Sequence, residues 1–230
     1  MIDFHLTIEK NKIKQLKIII TSATKFEVEA LKDSLMQNSG LNIQFHESGV
    51  GIMQSTFSIQ KMMLVEKPNL VIQVGIAGTF DAKYGLGDVV IVNEEFLGSC
   101  GVEENGDWQD IFDLNLCESN KFPFQNLGLK NPFLKKFNLL HLPLVKGVTI
   151  DEISTKPHRI ENLKTKYQCC IETMEGAALH YCGLQYQIPF LQIRGISNYV
   201  GERNKQHWQL KDSINNVCVK AFEILENGFL

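Results

Sequence analysis

Residues 170–201 read CIETMEGAALHYCGLQYQIPFLQIRGISNYVG, and this stretch decides the fold. Glu175 stands where Ile171-Glu172-Thr173 leads into a segment rich in small residues, which predicts a carboxylate at a strand-to-helix junction. Residues 188–193 then predict a buried strand, and Ser197 and Asn198 follow its carboxyl end. Open α/β sheets bind ligands at the carboxyl ends of their strands. We therefore expect the two junctions to direct Glu175, Ser197 and Asn198 toward one site.

The composition is typical of a soluble globular chain. With 230 residues, of which 44% are hydrophobic and 21% charged, the chain is long enough to bury a core within one domain. We expect residues 1–16 to be an N-terminal extension and residues 17–230 to be a single domain, because no linker, repeat or low-complexity segment interrupts the latter.

Charge and hydropathy argue against two classes of partner. The formal net charge is -3, and the lysines are scattered among acidic residues, so no basic stripe suits a nucleic-acid backbone. The apolar run 18–20 is far too short to span a bilayer. We expect a cytoplasmic protein that binds neither nucleic acid nor membrane.

The cysteines and histidines give no metal signature. The six cysteines show no CxxC spacing, and the sequence contains neither an HExxH motif nor a His/Cys cluster. We therefore expect reduced thiols, no bound metal and no cofactor.

Three further predicted strands end in a carboxylate or in glycine-rich sequence. They are residues 17–22, 41–48 and 69–74, followed by Glu27, by Gly49-Val50-Gly51 and by Gly75-Ile76-Ala77-Gly78. Thr24 is a plausible N-cap for a helix over residues 23–31 that would bury Phe26, Ala30 and Leu31. Gln54 stands where a dinucleotide fingerprint needs its third glycine, so the Rossmann signal is weak. We expect these strand ends to form one crevice with Glu175.

The remaining segments predict the rest of an α/β fold. Strands are predicted at 87–95 and 142–150, a helical turn at 132–137, and helices at 53–65, 157–166 and from about residue 212 to the end. Residues 96–124 show no periodicity and are predicted to be a long irregular loop, of the kind that forms lids or interfaces.

The motifs resemble those of the nucleoside phosphorylase/nucleosidase superfamily. The resemblance rests on Met174-Glu175, Arg194-x-Ile196-Ser197-Asn198, Gly147-Val148-Thr149-Ile150 and Gly201-x-Arg203-Asn204-x-x-x-Trp208, and it extends from about Lys17 to the last helix. It implies a catalytic domain with a three-layer α/β/α fold and a central mixed sheet. It also implies a small-molecule purine nucleoside as substrate and assembly into a homo-oligomer.

The same resemblance implies a role for each strand end. Cleavage of an N-glycosidic bond passes through a ribosyl cation-like transition state, which needs a base for water, negative charge near the sugar and hydrogen bonds to the leaving purine. By resemblance, Glu27 activates the water, Glu175 binds the ribose hydroxyls against Met174, and Asn198 contacts the purine. Arg194 takes a supporting role.

Further substrate-binding residues follow from the matched segments. They are Val50, Ile76, Gly78, Thr149, Ile150, Ser197 and Trp208, the last of which is expected to close over the purine. Ile76 departs from the superfamily pattern, which often has serine there, and this argues against the methylthioadenosine branch.

Three rival functions remain open at this point. A phosphorylase would need arginines near the first and third strand ends, and Arg159, Arg194 and Arg203 are all distant in sequence. A methylthioadenosine nucleosidase would need an acid in place of Asn198, whose amide suits a 6-oxopurine instead. A nucleoside-binding protein without activity would have no need of Glu27.

Overall fold

The computed structural model describes residues 16–38 and 41–229. Residues 1–15 of the expected N-terminal extension lie outside this range, so that expectation stays a prediction. Within the described range the strands are β1 (Lys17–Ser22), β2 (Asn42–Glu47), β3 (Leu70–Thr79), β4 (Val89–Leu97), β5 (Gly101–Glu104), β6 (Asp107–Asp110), β7 (Leu129–Lys130), β8 (Leu144–Thr149), β9 (Ile171–Thr173) and β10 (Phe190–Tyr199). The α-helices are α1 (Glu29–Asn38), α2 (Ile52–Glu66), α3 (Leu134–Phe137), α4 (Pro157–Tyr167), α5 (Gly176–Tyr186) and α6 (Leu210–Phe229).

The main sheet mixes parallel and antiparallel pairs. Its strand order is β10-β4-β8-β9-β3-β1-β2, with β7 paired to β4. β1 lies parallel to both β2 and β3, whereas β9 is antiparallel to β3 and β4 is antiparallel to β10. β10 also pairs with β3, so β3, β9, β8, β4 and β10 close into a ring. The predicted mixed sheet is confirmed.

Helices cover both faces of this sheet because the strands alternate their side chains. Ile18 and Ile20 pack on one face, in a cluster that includes Leu31 of α1 and Ile224 of α6. Ile19 points to the other face, where residues of α2 and α5 form a second cluster. The predicted three-layer arrangement is therefore also confirmed. No helix of the described ranges combines the length and apolar content needed to cross a membrane.

The first helix differs from its prediction. A 3-10 turn occupies Lys25–Glu27, and α1 begins only at Glu29. Phe26 is 62% exposed and Ala30 is also exposed, whereas Val28 is buried beside Leu31. The predicted buried face was wrong because a tight turn advances side chains differently from a continuous α-helix.

Part of the predicted irregular loop is a hairpin. β5 and β6 pair antiparallel around Asn105-Gly106, both of which have positive φ. Asn-Gly is the strongest short signal for such a turn, so this feature was readable in the sequence. The guanidinium of Arg159 stacks on Trp108 of the hairpin, 3.8 Å from the ring centroid, and holds it against α4.

Two strands run further than predicted, and this positions the site. β3 continues through Gly75 and Gly78, and β10 includes Arg194 and Asn198. The register places Arg194 opposite Gly75 and Asn198 opposite Gly78, with a bulge between residues 196 and 198. The bulge interrupts the alternation, and both Ser197 and Asn198 lie on the wall of one cavity.

Candidate active site

A cavity of about 340 Å³ opens at the carboxyl ends of β1, β3, β9 and β10. Most of the predicted site residues lie on its wall: Glu27, Val50, Ile76, Gly78, Ile150, Met174, Glu175, Ser197, Asn198 and Trp208. Thr149 and Arg194 lie behind the wall. The four separate strand ends thus form one crevice.

Glu27 is buried and held by the chain on either side of the cavity. Its Oε2 accepts hydrogen bonds from the backbone N–H of Thr24 at 3.1 Å and from the Thr24 hydroxyl at 3.3 Å. Its Oε1 makes a long contact of 3.4 Å with the Ile76 N–H, its one hydrogen bond among the described residues. One oxygen therefore fixes the side chain, and the other remains able to accept a further hydrogen bond.

Glu175 caps the start of α5 and reaches across to the start of α2. Its Oε1 accepts from the Gly51 N–H at 3.1 Å, and its Oε2 lies 3.8 Å from Nη1 of Arg194. Burial raises the pKa of this carboxyl group, while the Arg194 guanidinium and the Gly51 N–H oppose that shift. The carboxylate is thus fixed in place from two directions.

Arg194 is 1% exposed and supports the site from below. Its Nη2 donates to the side-chain oxygen of Gln73 at 2.8 Å. A Cβ atom on Gly75 would lie 2.4 Å from Nη1 of Arg194, so the guanidinium occupies the space beside that glycine. The sequence argument that no arginine lies near the third strand end was therefore wrong, because the pairing of β10 with β3 brings Arg194 there.

Asn198 is oriented by its neighbour. The hydroxyl of Ser197 donates to Oδ1 of Asn198 at 2.9 Å, and Nδ2 of Asn198 donates to the Tyr199 carbonyl at 3.1 Å. A Cβ atom on Gly78 would lie 3.2 Å from that Nδ2, so the amide group lies over a glycine. The second N–H of the amide is left for a ligand in the cavity.

Thr149 does not line the cavity as expected. It is 2% exposed, and its hydroxyl donates to Glu95 at 2.8 Å and accepts from the Ala177 N–H at 2.8 Å. Neither Glu95 nor Ala177 lies on the cavity wall. Its neighbour Ile150 does lie on the wall.

Sequence reasoning missed two buried acids near this site. Glu172 lies on the cavity wall, and its Oε1 accepts from the Ser154 N–H at 3.3 Å. Burial raises its pKa. Glu95 lies deeper, at 0% exposure. The available signal was an acidic residue inside an otherwise apolar strand, a placement that proteins rarely use without a partner.

The wall is acidic and lacks cations. Its charged residues are Glu27, Glu172 and Glu175, and no lysine, arginine or histidine is on the wall among residues 16–38 and 41–229. Over the same ranges, no group of three or more His, Cys, Asp or Glu residues is arranged to hold a metal. Such a wall suits a neutral or cationic sugar ring better than a phosphate dianion.

The sequence is similar to one protein family and to characterised nucleoside-cleaving enzymes of bacteria. The sequence matches the profile of the Phosphorylase superfamily over residues 17–227. It is 26% identical over 179 residues to the futalosine hydrolase of Thermus thermophilus, covering 76% of this chain and 78% of that protein. It is 24% identical over 208 residues to a 5'-methylthioadenosine/S-adenosylhomocysteine nucleosidase of Geobacillus sp., covering 82% and 88% respectively.

Solved structures share the fold at lower identity. The futalosine hydrolase of Helicobacter pylori superposes with a TM-score of 0.75 at 15% identity, covering 92% of this chain and 98% of that one. An S-adenosylhomocysteine nucleosidase from Streptococcus pyogenes gives a TM-score of 0.76 at 19% identity, covering 92% and 97%.

Proposed function

The chain belongs to the Phosphorylase superfamily, and from its candidate site we propose that it is a nucleosidase that hydrolyses the N-glycosidic bond of a purine nucleoside. The observation that carries this proposal is the cavity wall, which presents three carboxylates and the Asn198 amide with no cationic side chain among the described residues. Relatives named as hydrolases and nucleosidases support the same reaction class.

The proposed reaction assigns one task to each strand end. Glu27 removes a proton from water as the water oxygen bonds to C1' of the ribose. Glu175 accepts hydrogen bonds from the ribose hydroxyls, and its negative charge stabilises the developing ribosyl cation. The purine leaves with the electrons of the C1'–N9 bond and takes a proton from water, while Asn198 donates a hydrogen bond to it.

Phosphorolysis is less well supported than hydrolysis. A phosphate dianion beside the sugar would face Glu27 and Glu175 across a wall without a cation. Arg194 lies close, but it is buried beneath the wall and already faces Glu175 at 3.8 Å. Purine nucleoside phosphorylase therefore stays an alternative that the phosphate dependence of the rate decides.

We propose futalosine as the substrate, with hypoxanthine and dehypoxanthine futalosine as products, in menaquinone biosynthesis. Adenine is best expelled by an acid that protonates N7, and Asn198 has no such proton to give. Its amide instead suits O6 and N7 of a 6-oxopurine, both of which accept hydrogen bonds. Hypoxanthine also carries departing negative charge better than adenine does. The alternative is a methylthioadenosine/S-adenosylhomocysteine or aminodeoxyfutalosine nucleosidase, which the names of several relatives favour.

Release of free base from a substrate panel tests these proposals. Purified protein is incubated with futalosine, inosine, methylthioadenosine and aminodeoxyfutalosine, each with and without phosphate, and the bases are separated by chromatography. We expect futalosine to react fastest, at a rate that phosphate leaves unchanged. A phosphate-dependent rate with a ribose 1-phosphate product would establish the phosphorylase instead, and faster release of adenine would establish the 6-amino branch.

A further inference from the structure

Glu95 is a fully buried carboxyl group that the proposed reaction does not use. It lies on β4 at 0% exposure, behind the cavity. Its Oε1 accepts hydrogen bonds from the hydroxyls of Thr149 at 2.8 Å and Thr173 at 2.9 Å. These threonines are the last residues of β8 and β9, so one carboxyl oxygen joins the ends of two strands.

The two threonines connect Glu95 to the first turn of α5. The Thr149 hydroxyl accepts from the Ala177 N–H at 2.8 Å, and the Thr173 hydroxyl accepts from the Gly176 N–H at 3.3 Å. Amides in the first turn of a helix have no acceptor within the helix. A hydroxyl has a single hydrogen to donate, and because Glu95 receives it, the lone pairs of both threonines face these amides.

The chain makes room for this carboxyl group with two glycines. A Cβ atom on Gly147 would lie 2.5 Å from Oε2 of Glu95, and a Cβ atom on Gly176 would lie 2.6 Å from the same oxygen. Both distances are far inside van der Waals contact, so neither position accepts a side chain while Glu95 keeps its place. The carboxyl group therefore has a closely fitted position.

Oε2 of Glu95 is a buried carboxyl oxygen with no hydrogen-bond partner among the described residues, and this favours the protonated acid. Nδ1 of His180 lies 2.8 Å from the Leu129 carbonyl, which only accepts, so Nδ1 carries the hydrogen and Nε2 is an acceptor. Among the described residues, both polar atoms of the Gln192 side chain and Nε2 of His180 are likewise buried without a hydrogen-bond partner. A negative charge on Oε2 would therefore be poorly compensated, so the neutral acid is the form that this position favours.

The charged and titratable groups around Glu95 agree with that pattern. Burial raises the pKa of Glu95 to about 7, against the opposing effects of the threonine hydroxyls and the Arg194 guanidinium on β10. Burial lowers the pKa of His180 on α5 to about 4 and raises that of the Cys169 thiol just before β9. Arg194 is therefore the charged group that faces Glu95, and Glu95, His180 and Cys169 are neutral between about pH 4 and pH 7.

We propose that Glu95 is a positioning residue, a neutral carboxylic acid that orients Thr149 and Thr173 and thereby fixes the first turn of α5. That turn begins directly after Glu175, so Glu95 sets where the Glu175 carboxylate meets the ribose. This inference rests on the proposed nucleosidase function for its catalytic consequence, but its structural part can be measured without any substrate.

Glu95→Gln and Glu95→Leu distinguish the hydrogen bonds of Glu95 to the threonines from the space that its side chain fills. Glutamine keeps an acceptor for both threonines and an N–H where the neutral acid has its O–H, so we expect kcat/KM within about 3-fold of the native value. Leucine offers no acceptor, and we expect kcat/KM for the nucleoside to fall about 10-fold to 100-fold. Thr173→Val removes one of the two hydroxyl links, and we expect its kcat/KM to lie between those of Glu95→Gln and Glu95→Leu. This variant keeps the test valid if Glu95→Leu does not fold.

Glu94→Gln is the matched control. Glu94 is the adjacent acid on β4, and it faces Lys130 and Lys146 instead of the threonines. We expect it to leave kcat/KM unchanged. Native activity in Glu95→Leu or Thr173→Val, or an equal loss in Glu94→Gln, would overturn the positioning role.

Thermal stability as a function of pH tests the neutral acid directly. Between the ordinary pKa of 4.5 and the folded value of about 7, the unfolded chain releases this proton and the folded chain keeps it. This group therefore makes stability fall as pH rises through that window, and the loss is complete above about pH 7. The melting temperature of Glu95→Gln, relative to the native protein, should rise from pH 5 to pH 8.

Nucleoside cleavage and the pH dependence of the melting temperature test the two proposals independently. If the native protein cleaves no nucleoside, the proposed function is wrong, and the melting temperatures still decide whether Glu95 is neutral. If the native protein is active and the stability difference between it and Glu95→Gln is independent of pH, the function stands and the neutral acid is wrong.

Discussion

The Ser197 hydroxyl donates to Oδ1 of Asn198 at 2.9 Å, and this bond turns the nitrogen of the amide toward the cavity. Loss of the hydroxyl in Ser197→Ala should let the amide rotate. We expect a fall of about 5-fold in the preference for hypoxanthine over adenine nucleosides, because a hydrogen bond of this kind contributes about 1 kcal/mol. Comparing kcat/KM for the two substrate classes measures the change.

Asn198→Asp tests the same contact from the other side. An aspartic acid supplies a proton for N7 and should shift the preference toward 6-amino purines. Asn204→Asp is a suitable control, since Asn204 is exposed and caps a short turn away from the cavity wall. If the native protein already prefers 6-amino substrates, the proposed assignment of the base is wrong.

Glu27→Gln tests the base for water. The amide keeps the size of the side chain and an oxygen for the Thr24 N–H, so we expect the melting temperature to change little. Loss of a positioned general base typically lowers kcat about 10²-fold to 10⁴-fold. The control is Glu29→Gln, two residues away and exposed. A Glu27→Gln protein with near-native turnover would remove this residue from the mechanism.

The outer face of α2 supports the proposal of a homo-oligomer. Met53 is 80% exposed, Phe57 69% and Val65 68%, which is a large apolar area for one helix. Leu116, in the segment that the sequence suggested as an interface, is 74% exposed. We expect Phe57→Glu to produce a monomer in sedimentation experiments.

Val219→Glu is the control for this experiment. Val219 is 52% exposed on α6, on a different helix, and its change should leave assembly as it is in the native protein. A native protein that sediments as a fully active monomer would rule out the oligomer.

The sequence pattern within single segments predicted the elements that carry the site residues. The continuous apolar run 18–20 predicted β1 with its observed bounds, and the change to small residues after Glu175 predicted the start of α5. The side chains of Glu27, Glu175 and Asn198 line one cavity, as expected from the ligand-binding edge that strands of this architecture share.

Features that depend on pairing between distant strands were not readable. Arg194 lies beside Gly75 only because β10 is in register with β3, and no spacing in the sequence expresses that register. Thr149 was assigned to the substrate because its motif was recognised, whereas its direction is set by Glu95, 54 residues earlier. Phe26 was misplaced because the 3-10 turn before α1 has no distinct sequence signal.

The pairing of β3 with β10, which closes the ring of strands, also has a consequence for synthesis on the ribosome. β3 is complete at Thr79, but its partner β10 ends at Tyr199, so a further 120 residues must be synthesised before this pair can form. Pairings of such sequence separation form late and slowly. A nascent chain that has not yet reached Tyr199 therefore lacks both Asn198 and the register that places Arg194 under Glu175. The protein should acquire its ligand-binding competence only after Tyr199 has been synthesised, and products that stall before it should expose β3 as an unpaired edge open to association with other chains.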